Sequence, residues 1–120
     1  MRFKVMGKRW LLVWVAKGVA FVARRDKDGR EQKMSKTDDG LTEGPWLRNK
    51  RVFLRHGLRS GKRKLETAIH EFTHAADWSK DEEWVHEFGH DLANFLWALG
   101  VRFEEAPEVE PEEGPETLEG

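Results

Sequence analysis

The sequence predicts an α+β fold: a small, mainly antiparallel sheet packed by two helices. Three observations carry that expectation. The first half of the chain sets short Val-, Phe- and Trp-rich runs between glycine turns, a strand signature. Residues 62 to 99 repeat their apolar positions at helical spacing instead, with one break around Ser79. Finally, 120 residues, 38% hydrophobic and 36% charged, suffice for one small domain and not for two.

The elements follow in order. Arg2, Lys4, Lys8 and Arg9 introduce two apolar stretches, Trp10 to Val15 and Val19 to Ala23. A secretory leader has a similar outline, but Lys17 and Gly18 interrupt the run at its centre. Its Val, Phe and Trp content suits strands, so a pair joined at Lys17-Gly18 is expected. Asp26-Lys27-Asp28-Gly29 is a second turn, between Phe21–Arg25 and a short segment near Gln32–Met34. Residues 38–46 read as loop, and Arg51–Arg55 as a strand with Val52 and Leu54 on one face.

The first helix is expected from Lys62 to Trp78, with Leu65, Ala68, Ile69, Phe72, Ala75 and Ala76 facing inward. Ser79-Lys80-Asp81-Glu82 matches a capping box that ends it and starts a second. That helix should run to Leu99, closed by Gly100, with Val85, Phe88, Leu92, Phe95, Leu96 and Leu99 inside. Trp10, Trp14 and Trp97 are expected in the core, and Trp78 and Trp84 beside a cleft.

The domain spans 1–103. Residues 104–120 hold eight of the 22 acidic residues and no basic one, leaving 14 acidic against 21 basic residues in the body. Pro- and Glu-rich, with Val109 and Leu118 as the large aliphatics, this tail is expected to be disordered. No apolar run reaches the roughly 18 residues of a membrane span, so no membrane association is expected and a cytoplasmic setting is. The absence of Cys excludes disulfides, thiolate metal sites and a thiol nucleophile.

Four of the five histidines form two copies of one pattern, His70-Glu71-Phe72-Thr73-His74 and His86-Glu87-Phe88-Gly89-His90. Residues four apart on a helix stand one above the other, so each copy can offer two imidazoles to one cation. Zinc suits such ligands and acidifies a water it binds, and the intervening Glu can take the proton. A third ligand must come from elsewhere. The position six residues after His74 is Lys80, so the three-His metzincin arrangement fails. The second helix is the nearest supplier, with Glu82 the first choice on helical geometry, then His86, then Glu83. Glu82 also has the plainer reading of closing the capping box. His86 and His90 are expected as exposed helix residues or as contributors of one group to the cleft. Asp77 shares the face of His70 and His74 and is a candidate to orient an imidazole.

The stretch from Ala68 to Ala76 resembles the active-site helix of zincin metallopeptidases. The order of strand, loop, HExxH helix, short linker and second helix is similar to minimal zincins of the SprT-like and ImmA/IrrE kinds. Glu82, Val85, Phe88 and Gly89 sit at the offsets of the latter's ligand helix. Residues 48–102 also resemble short phage and bacterial proteins with an HExxH, Asp81-Glu82-Glu83 and Leu96-Trp97-Ala98-Leu99-Gly100. The resemblance implies a zinc-dependent peptidase acting on protein or peptide, with His70, His74 and Glu82 as ligands and Glu71 as general base. By the same analogy Arg51–Arg55 is the edge strand that pairs with substrate. Zincins often place a Tyr or His at the developing oxyanion; with no Tyr in the chain, His86, His90 or an Arg would serve, with His56 less well placed.

Between Gly44 and Leu65 stand Arg48, Lys50, Arg51, Arg55, Arg59, Lys62, Arg63 and Lys64 with no acidic residue. Such a run either attracts nucleic-acid phosphates or acidic peptides, or is a solvated rim. Two further functions therefore stand beside the peptidase: a zinc-stabilised binding module without turnover, and a basic nucleic-acid binder with incidental histidines.

Overall fold

The computed structural model describes residues 1–22, 32–57 and 61–102. The strands are β1 (Arg2–Val5), β2 (Lys8–Val15), β3 (Phe21–Val22), β4 (Lys33–Met34), β5 (Gly40–Thr42) and β6 (Lys50–Arg55), followed by helices α1 (Gly61–Ala76) and α2 (Glu82–Ala98). Four strands form a sheet ordered β1-β2-β6-β5, and β3 and β4 make a separate antiparallel pair. β1–β2 and β5–β6 are antiparallel, whereas β2 and β6 run parallel, Val13 opposite Phe53. The α+β class, with a small sheet and two helices, is thus the observed one.

Strand alternation sorts the core onto two faces. Trp10 and Trp14 join Val5, Val52 and Leu54 under α1, against Ala68, Ala75 and Ala76. Val13 and Val15, one residue out of phase, pack with Phe53 and Met34 on the other cluster. Burial on both faces explains why β2 reads as a continuous apolar run rather than an alternating one.

Several expectations change. The first hairpin turns at Met6-Gly7, both at positive φ, and not at Lys17-Gly18. β2 instead continues through Lys17-Gly18 to β3, which pairs with β4. The Asp26–Gly29 turn between those strands and the Glu-rich 104–120 segment lie outside the described residues. Part of the expected 38–46 loop is β5, which makes β6 an interior strand and β5 the sheet edge. The expectation that Arg51–Arg55 is the edge strand is therefore corrected.

α1 lies on the sheet, while α2 packs on α1. The face α2 turns inward has Val85, as expected, with Gly89 and Ala93; of the other residues expected there, Leu92 and Leu96 are half-buried and Phe88, Phe95 and Leu99 are exposed. Phe72 of α1 is exposed as well, stacked on Phe3. Trp10 and Trp14 are buried as expected, while Trp97 is half-buried beneath the Arg102 guanidinium. A Schellman turn closes α2: Gly100 N–H donates to Trp97 O, Val101 N–H to Leu96 O, and Gly100 takes φ 98°. No described helix is long and apolar enough to cross a membrane.

Candidate metal centre

His70 and His74 occupy successive turns of α1, and their Nε2 atoms lie 3.2 Å apart. Glu82, the first residue of α2, reaches both: Oε1 is 2.6 Å from His70 Nε2 and Oε2 is 2.9 Å from His74 Nε2. Two features of the linker put it there. Asp77 at the end of α1 accepts from Ser79 N–H and Oγ, turning the chain, and those donors hold its carboxyl below the ordinary range. Asp81 then caps α2, its carboxylate accepting from Trp84 N–H at 2.7 Å. The expected Ser79–Glu82 capping box is therefore replaced by an Asp81 cap, and Asp77 serves the turn rather than an imidazole. With the cap made by its neighbour, Glu82 is not needed for capping.

Gly89 sits where the two helices cross. A Cβ there would lie 3.6 Å from both Cα and N of His70, so α2 crosses α1 beside the first imidazole. His86 stands near His70, with ring centroids 6.3 Å apart. His90 pairs instead with Glu66, Nδ1 to Oε2 at 3.0 Å, and takes Asn94 Nδ2 at 3.1 Å. Among the described residues His70, His74 and Glu82 are the one group of three or more that could hold a metal ion. The second HExxH copy forms no such group, and Glu83 is exposed on the first turn of α2. His56 is buried and stacked on Trp14, away from the residues lining the cleft.

The donor set fits zinc. Ligands at about 2.1 Å in a tetrahedron stand about 3.4 Å apart, close to the 3.2 Å between the imidazoles. The Glu82 oxygens, at 2.6 and 2.9 Å, sit at hydrogen-bond distance from the rings and would have to draw back to share an ion. Burial draws the His74 imidazole below its ordinary pKa; Glu82 opposes that and His70 adds to it. The neutral ring is the form that ligates.

Glu71 lines the cleft beside His70 and is 7% exposed. Thr42 of β5 holds it: Oγ1 lies 2.6 Å from Glu71 Oε1 and 3.0 Å from the Glu71 carbonyl. Gly40 makes room, since a Cβ there would fall 2.9 Å from Glu71 Cγ and 3.1 Å from Oε2. Burial pushes the Glu71 carboxyl up to about 7 against the pull of the Thr42 bond, and Glu82 adds to the rise. Neither Gly40 nor Thr42 was visible as a site residue. A three-residue strand beginning with Gly carries too little alternation to stand out from a loop.

A cleft runs along β5 on both sides of His70 and Glu71. One arm, about 580 Å³, is walled by Asp39, Arg63, Glu66, His86 and His90. The other, about 320 Å³, is walled by Leu41, Thr42, Trp78, Lys80 and Glu82. Trp78 is braced edge-on by Trp46, centroids 5.3 Å apart. Trp84 lies outside the cleft lining, stacked on Phe88 with Lys80 over its face.

The eight basic residues from Arg48 to Lys64 do not make one strip. Arg55 is buried, its guanidinium bonded to the carbonyls of Ala16, Val19, Ser35 and Asp38. Arg51 makes a two-pronged bond to the fully buried Glu43, and Arg63 pairs with Asp39. Lys64 is buried, Lys62 lies on the cleft, and Arg59 falls outside the described residues.

No family model, no curated protein and no solved structure matches the chain.

Proposed function

We propose that this protein is a zinc-dependent peptidase of the cytoplasm that hydrolyses extended protein segments. The observation that carries the reading is the convergence of His70, His74 and Glu82 beside a separately held Glu71. Zinc there would supply a Lewis acid that brings a water's pKa to about 7. His70, His74 and Glu82 would be the three protein ligands that hold it. Glu71 lines both arms of the cleft, and it takes the proton from the water and returns it to the leaving amine. Its raised pKa suits both halves of that task near neutral pH. β5, whose outer side pairs with no strand among the described residues, offers backbone groups for an extended substrate to add as a further strand.

The test is hydrolysis of fluorescein-labelled casein by purified, zinc-loaded protein. Wild type cleaves it, and Glu71→Gln keeps its zinc but loses cleavage by about a hundredfold or more. Equal residual activity in both, or none in either with zinc bound, would favour the module without turnover.

A further inference from the structure

A second groove, about 870 Å³, lies across β1, the first half of β2 and the start of β6, and it shares no lining residue with the candidate metal cleft. The fold assembles it from three separate stretches of sequence. Lys4 stands opposite Arg9 across the β1–β2 ladder, and the parallel β2–β6 pairing sets Trp10 against Lys50. Arg2 and Arg48 complete a set of five cations, of which Lys50 is half-buried and the other four exposed. Arg51, the sixth cation of the lining, is committed to Glu43. Among the described residues no acidic side chain lines the groove.

We infer that this groove binds the phosphate backbone of duplex nucleic acid. Five cations without an interleaved carboxylate make a site for a polyanion, because mutual repulsion among them is relieved only by several negative charges together. The groove's aromatic residues favour a duplex over a single strand. Base stacking needs an exposed aromatic face, whereas Trp10 is 2% exposed and Phe3 is stacked on Phe72. With no base platform, contact is to phosphates, and recognition is independent of sequence. Since the groove and the metal cleft are built from different residues, this inference stands whether or not the chain hydrolyses peptides.

The experiment is fluorescence anisotropy of a mixed-sequence DNA duplex titrated with the full chain at several salt concentrations. Five phosphate contacts give a log–log slope of about −4.5, a loss of roughly several hundredfold between about 50 and 200 mM salt. Arg2→Ala, Arg9→Ala and Arg48→Ala, on three different segments, should each weaken binding and make that slope shallower by about one. Lys62→Ala, on the metal cleft, should change neither. Tryptophan fluorescence of each variant checks that the fold is kept. Absence of binding at about 50 mM salt, a slope untouched by these variants, or equal competition by a poly-glutamate peptide would overturn the inference.

Discussion

Glu71 is the residue on which chemistry and stability pull in opposite directions. Its carboxyl titrates at about 7 in the fold, against 4.5 for an unperturbed glutamate. The folded state therefore holds this proton more tightly than the unfolded chain does. Its contribution is fully favourable below about pH 4.5 and is lost as the pH rises through 7. Metal-free Glu71→Gln should accordingly be more stable than metal-free wild type at about pH 8, by roughly 3 kcal/mol at most, and no more stable at about pH 4. Denaturant unfolding at the two pH values reads this directly. Gly40 is the second decisive residue. Gly40→Ala puts a methyl group against both the Glu71 side chain and the Phe53 carbonyl of β6, and should lower hydrolysis at least tenfold while zinc content stays at wild-type level. Zinc analysis alongside the activity assay separates this from loss of the metal.

At the scale of elements, the site depends on how two helices and one edge strand are held. Asp81→Ala removes the cap of α2 and should cost about 1 kcal/mol of stability. Because Glu82 follows directly, zinc affinity should fall with it, which isothermal titration measures. Arg55 carries the other brace. Its guanidinium ties the β2–β3 and β4–β5 connections to β6, and its own N–H donates to Asp39 O just ahead of β5. Arg55→Ala strips four carbonyls of their donor and should cost on the order of 3 kcal/mol or more in a chemical melt. A side chain that reads as a surface cation in sequence is thus a buried clamp. The metal-site helix was legible because its two histidines sit at a spacing only a helix makes useful, and α2 because its periodicity is strong. Periodicity gives a stripe without saying which stripe turns inward. Here α2 rests on another helix and buries Val85, Gly89 and Ala93, so of the expected stripe Val85 turns inward while Phe88 and Phe95 stay exposed. The first hairpin was hidden because Met6 takes positive φ with no residue signal to announce it.

Across the whole molecule, one sheet separates two kinds of chemistry. The edge at β5 carries the candidate metal cleft, and β1 with the first parts of β2 and β6 carries a cationic groove. The fold class and the pairing of HExxH with a carboxylate from the second helix followed from local pattern. The groove did not, since it exists only once parallel pairing brings residue 50 beside residue 10. A body this small has a limited core, so a metal bound only by the folded state would add measurably to its stability. The central claim is that His70, His74 and Glu82 together grip one zinc ion. It is tested most directly by titrating zinc into chelator-treated wild type and into His70→Ala, His74→Ala and Glu82→Ala, reading bound metal per chain. One zinc per wild-type chain is expected, with affinity reduced at least a hundredfold in each variant. Wild type that takes up no zinc, or a Glu82→Ala variant that binds it as tightly as wild type, would contradict the account.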